Sequence, residues 1–154
     1  MKLRDFIVRE AVIADLSAKT RDEAITELVR SLSKHGALDE SAVDEVVAAL
    51  IKREQNGTTG FGKGVAVPHV KHAKVKKMAG TLGQTASGID FNAVDHKPVH
   101  SIALLLSPDN SPQVHLQAMN CVFTFLQKDL SRKFLKQAGT REKILEVLDD
   151  ADAT

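Results

Sequence analysis

One stretch restricts this chain more than any other. Val99-His100-Ser101-Ile102-Ala103-Leu104-Leu105-Leu106 is nearly continuously apolar. It is too short for a membrane helix and lacks the alternation of a half-solvated strand, so it reads as a central strand covered on both faces. Such a strand needs helices above and below it, and the flanking sequence supplies them. Thr20 offers an N-cap with Glu23 as its capping-box partner, and Ala24, Ile25, Leu28, Val29 and Leu32 follow at helical spacing until Gly36. Asp39 or Ser41 starts a second helix, striped by Val43, Val46, Val47, Leu50 and Ile51. Ser111-Pro112 opens a long helix to about Lys128, as N-cap and first helical residue. Short helices are expected near Ser131–Gln137 and Arg141–Leu148. Further strands are expected at 11–16, at Val65-Ala66-Val67 up to Pro68, and over 78–85. The predicted fold is α/β, a three-layer α/β/α sandwich with a mixed central β-sheet flanked by helices.

Composition narrows the function. The 154 residues contain no Pro/Ser/Gly-rich linker and no long repeat, so residues 1–154 read as a single domain. Lys plus Arg total 21 against 20 Asp plus Glu, and a net charge of +1 gives no pull toward nucleic acid or an anionic membrane. There is no Trp or Tyr on which bases could stack. The lone Cys121 excludes an internal disulfide and fits a reducing, cytoplasmic setting. No apolar run is long enough to span a membrane, and the N-terminus is too charged for a secretory signal.

Three residues could carry chemistry. His69 follows Val65-Ala66-Val67-Pro68 at a strand end, after the glycine-rich segment from Asn56 to Gly64. A neutral imidazole there could act as nucleophile, base or metal ligand, or be a loop histidine without a role. His115 shares a helical stripe with Ala118, Met119 and Val122, and its place near a helix start favours the neutral form. It could donate a hydrogen bond to an anion, or be a satisfied core histidine. Arg53, in the last turn of the second helix, could grip a phosphoryl group or simply complement the helix dipole. His69, His72 and His115 also raise zinc, but no Cys pair or HExxH pattern accompanies them, and no metal or cofactor is expected. Lys71, Lys74, Lys76 and Lys77 form a basic run beside His69 that suits a solvated face or an acidic partner. No P-loop or kinase signature is present, so a nucleotide substrate is not expected.

The run Arg53-Glu54-Gln55-Asn56-Gly57-Thr58-Thr59-Gly60-Phe61-Gly62-Lys63-Gly64-Val65-Ala66-Val67-Pro68-His69 resembles the phosphorylation-site motif of enzyme IIA of the bacterial phosphotransferase system, fructose/mannitol/nitrogen-regulatory type. The likeness continues through Gly88-Ile89-Asp90-Phe91, Lys97-Pro98-Val99 and His115-Leu116. The resemblance implies a phosphoryl carrier, a phosphotransferase through phosphohistidine and not a nucleotide-dependent kinase. His69 would take the phosphoryl group from a histidine phosphocarrier protein, His115 would contact it, and Arg53 would be the active-site arginine. Delivery would go in trans to a IIB component for sugar uptake. The alternative is a nitrogen-type regulatory protein whose phosphorylation state controls partner binding. One position departs from the family pattern. A small residue usually follows the histidine, and here Val70 does. Either the backbone differs locally, or the valine partly blocks approach to His69.

Overall fold

The computed structural model describes residues 1–153. In chain order the elements are α1 (Arg21–Lys34), α2 (Val43–Gln55), β1 (Gly60–Gly62), β2 (Val65–Ala66), β3 (His69–His72), β4 (Ala79–Ile89), β5 (Val99–Pro108), α3 (Pro112–Gln127), α4 (Asp129–Gln137) and α5 (Arg141–Asp152). The apolar run is the middle of the sheet. β5 pairs in parallel with β2 and β3 on one side and antiparallel with β4 on the other. Ile102, Leu104 and Leu106 enter a core shared with α1 and α2. Ala103 and Leu105 enter a second core shared with α3, α4 and α5. The mixed sheet is thus the middle of a three-layer α/β/α sandwich, as expected. No described helix is long and apolar enough to cross a membrane.

Local signals place the first two helices. Thr20 Oγ1 accepts the Glu23 N–H at 3.2 Å, and the Glu23 carboxylate accepts the Thr20 N–H at 3.1 Å. The five apolar residues of the α1 stripe are fully buried. The helix ends at Gly36, whose φ of +82° is costly for any residue with a Cβ. Asp39 caps a single 3-10 turn, Glu40–Ala42, that runs directly into α2.

Five expectations change. Pro68 does not end the strand. Val65 and Ala66 lie opposite Ser101 and Ile102, and His69 to His72 lie opposite Leu105 to Pro108 in the same register. Proline has no N–H to give the ladder. The Val67 N–H faces away from β5 and donates to the Thr59 carbonyl at 3.2 Å, while the Pro68 carbonyl still accepts the Leu105 N–H at 2.9 Å, so the chain stays alongside β5. His69 therefore opens a strand and does not sit in a loop. The 78–85 strand is longer, reaching Ile89 past an irregularity that follows Gln84. Its glycines weaken the sequence signal but are demanded by packing. A Cβ on Gly80 would lie 2.7 Å from Leu105, and one on Gly83 would lie 2.9 Å from Leu28.

The strand expected at 11–16 is replaced by a 3-10 turn, Arg9–Ala11, between two isolated bridges, Ile7 to Gly80 and Ile13 to Gly83. Bonding to the β4 edge at two separated points satisfies this segment without a continuous ladder. Ser111 precedes α3, but its hydroxyl meets Asn110 and does not cap the helix. The last two helices begin and end slightly beyond the expected limits, at Asp129 and Asp152.

Candidate functional site

The site is built at Val67-Pro68, where the chain keeps its register with β5. Both backbone groups of Val67 face away from β5: its N–H donates to Thr59, and its carbonyl meets His69 Nδ1 at 2.8 Å. A carbonyl only accepts, so Nδ1 must carry the proton. In the neutral ring Nε2 is then an unprotonated lone pair. The path behind Val67 is also fixed. Thr59 is held by the buried carboxylate of Glu54, which accepts its N–H at 3.0 Å and its hydroxyl proton. A chain of bonds therefore runs from the end of α2 through Thr59 and Val67 to the imidazole. Sequence reasoning placed Glu54 in the motif without a task, because nothing local shows the loop folding back onto its carboxylate.

His115 comes from the opposite layer. In α3 it is 7% exposed, and its ring centroid lies 5.5 Å from that of His69, tilted by 45°. Its Nδ1 meets Ser107 Oγ at 2.6 Å, a contact the sequence reading did not foresee. Arg53 turns its guanidinium back to the Gly57 carbonyl at 2.8 Å, which lies just past its own helix. The zinc reading needs His72 beside these two histidines. His72 Nε2 instead meets Glu45 at 3.4 Å, and among the described residues no three potential ligands gather. Of the basic run, Lys74 also goes to Glu45, whereas Lys71 stays on the site's strand.

Both imidazoles are held neutral. Burial pushes His69 below its ordinary value, the Val67 carbonyl opposes that, and the charge of Arg53 adds to it while Glu54 counters it. His115 is pushed down to about 4, first by burial and then by the charge that His69 carries when protonated and by that of Lys71. The neutrality expected from a helix start thus arises mainly from desolvation. The sign of the linkage follows. An unfolded His115 titrates near 6.5, so between about 6.5 and 4 the unfolded chain binds the extra proton. Stability from this group is complete above 6.5 and is lost as pH falls toward 4. Denaturant unfolding of the wild type should weaken across that window by more than unfolding of His115→Gln. Parallel pH profiles for the two proteins would show that His115 is not held neutral.

The site lies at the start of β3, beside β5, where His69 faces His115 of α3 and Arg53 closes α2, so it combines two neutral imidazoles with a guanidinium. Such an arrangement can position an anionic phosphorus centre and neutralise its charge with little further machinery. Val70 lies on the other side of β3, packed against the α1/α2 core, so its bulk is turned away from the His69 face.

Residues 5–151 match the family described as phosphoenolpyruvate-dependent sugar phosphotransferase system, EIIA 2. The fructose-specific EIIABC component of Bacillus subtilis is 29% identical over 153 residues, 99% of this chain, which spans only 24% of that protein. A nitrogen regulatory protein of Bradyrhizobium diazoefficiens is 32% identical over 148 residues, covering 96% of this chain and 95% of that one. The crystal structure of nitrogen regulatory protein IIA-Ntr from Neisseria meningitidis superposes with a TM-score of 0.83 at 28% identity, covering 94% of this chain and 97% of that one. With nearly its whole length matched to the family, the chain belongs to the EIIA 2 family of the phosphoenolpyruvate-dependent sugar phosphotransferase system.

Proposed function

We propose that the chain, acting as one domain in the cytoplasm, carries a phosphoryl group on His69. The Nε2 lone pair attacks the phosphorus of an upstream phosphohistidine, the N–P bond of the donor breaks, and its imidazole departs. The reverse chemistry delivers the group onward. The donor in this reading is an HPr-like histidine phosphocarrier protein, and the acceptor is a IIB component in sugar uptake. His115 donates a hydrogen bond to the phosphoryl oxygens, and Arg53 offsets their charge. The observation that carries the reading is the Val67 carbonyl on His69 Nδ1, which leaves one nucleophilic nitrogen in a neutral ring. The joined EIIABC naming of the Bacillus subtilis relative supports a IIB acceptor. The near full-length match to a nitrogen regulatory protein supports the second reading, control of partner binding by phosphorylation state. Incubating the phosphorylated protein with purified fructose- and mannitol-type IIB domains tests the two. Movement of the adduct to a IIB domain supports transport, and retention on this chain with every IIB domain supports regulation.

The orientation of Val70 changes the expectation for that position. Val70→Gly removes half-buried apolar contact with the α1/α2 core and adds backbone freedom within a strand. A loss of about 2 kcal/mol is expected, lowering the melting temperature by roughly 4–8 °C. Phosphoryl uptake should be no faster than in the wild type. Faster uptake with an unchanged melt would mean that valine obstructs the site.

A further inference from the structure

We propose that Ser107 is a positioning residue that fixes the tautomer of His115, its hydroxyl donating to Nδ1 so that the ring proton resides on Nε2. The inference deepens the phosphoryl-carrier reading and rests on it for its kinetic part. Ser107 lies near the end of β5, opposite Lys71 of β3, and is fully buried. Its Oγ is 2.6 Å from His115 Nδ1 and 2.8 Å from Met78 Sδ. A hydroxyl has one proton, and these two neighbours compete for it. A thioether sulfur is a weak acceptor, whereas the sp² lone pair of a neutral imidazole is a strong one. Burial and the nearby His69 and Lys71 keep His115 neutral, so only one of its nitrogens holds a proton. With the Ser107 proton on the Nδ1 side, that proton is on Nε2.

The consequence is a matched pair of opposite tautomers. His69 holds its proton on Nδ1, bound to the Val67 carbonyl, and presents a lone pair. His115 holds its proton on Nε2 and presents a donor. The first suits a nucleophile and the second an anion, and each is set by one fixed group behind the ring. The competing arrangement has His115 Nδ1–H donating to Ser107 and the hydroxyl turned to Met78. It would present a second lone pair to the phosphoryl oxygens and repel them.

Long-range proton–nitrogen correlation spectra of the unphosphorylated protein decide the structural part without any phosphoryl donor. The wild type should show His115 protonated at Nε2, and a proton at Nδ1 overturns the proposal. Ser107→Ala should shift His115 toward a mixture of tautomers, and Ser107→Thr should restore the single form. Single-turnover uptake at His69 should fall roughly 5- to 20-fold in Ser107→Ala and recover in Ser107→Thr. Wild-type rates in the alanine variant would overturn the positioning role even if the tautomer assignment stands. If His69 takes up no phosphoryl group in the wild type, the carrier reading fails, and the spectra still decide the role of Ser107.

Discussion

His69→Ala is expected to fold as the wild type does and to gain no phosphoryl group. The side chain is half-buried at the start of a four-residue strand and donates a hydrogen bond to the Val67 carbonyl. Truncation leaves that carbonyl to solvent and removes few core contacts, so the stability loss should stay near 1 kcal/mol, about the average for a point substitution. Chemistry, by contrast, is lost altogether. His115 is a poor substitute nucleophile because it is 7% exposed. His72 is engaged with Glu45. Matched melts and intact masses of the two proteins, after incubation with phosphoenolpyruvate and the upstream carriers, check the expectation. An adduct on the alanine variant at wild-type stoichiometry would remove His69 from the mechanism.

Arg53→Lys separates two roles that the helix position cannot. As a helix-end charge, Arg53 complements the dipole of α2 and satisfies a carbonyl just beyond it, here that of Gly57 at 2.8 Å. Lysine can meet both requirements, so the melting temperature should hold. As a phosphoryl ligand, Arg53 offers a planar fork that lysine lacks. Its charge is already felt at the imidazole, since it helps to hold His69 below its ordinary value. Losing a charge-assisted donor pair in the transition state costs about 1.5–3 kcal/mol, or roughly 10- to 100-fold in rate. Unchanged melting with slowed uptake is the expected result. Matched melts with matched rates would leave Arg53 as a helix-end charge alone.

The sandwich was legible because its defining signals are local. The β5 run, the Thr20–Glu23 box and the helical stripe from Ala24 to Leu32 each decide their element from adjacent residues. What was not legible depends on where the chain returns. Pro68 reads as a strand end, yet β5 lies alongside and takes up His69 in the register it kept with Ala66. The glycines of β4 read as weakness, but a Cβ there would crowd Leu105 and Leu28 and force their side chains to shift. Val70 beside His69 reads as an obstacle until the strand's alternation sends it to the opposite layer. Within the site, His69, His115 and Arg53 could be named from the motif and the spacing. Ser107 could not, because a serine closing an apolar run carries no sign that α3 folds His115 back onto it. Glu54 needed the path of the loop to Thr59 before its carboxylate acquired a partner.

In the proposed carrier role the Val67 carbonyl, by holding the Nδ1 proton, makes Nε2 of His69 the phosphoryl acceptor. A phosphorus–nitrogen correlation spectrum of the isotope-labelled, phosphorylated protein tests it directly. Phosphorus coupled to Nε2 of His69, with Nδ1 still protonated, is the predicted result. Coupling to Nδ1 of His69, or to a nitrogen of any other residue, would contradict it.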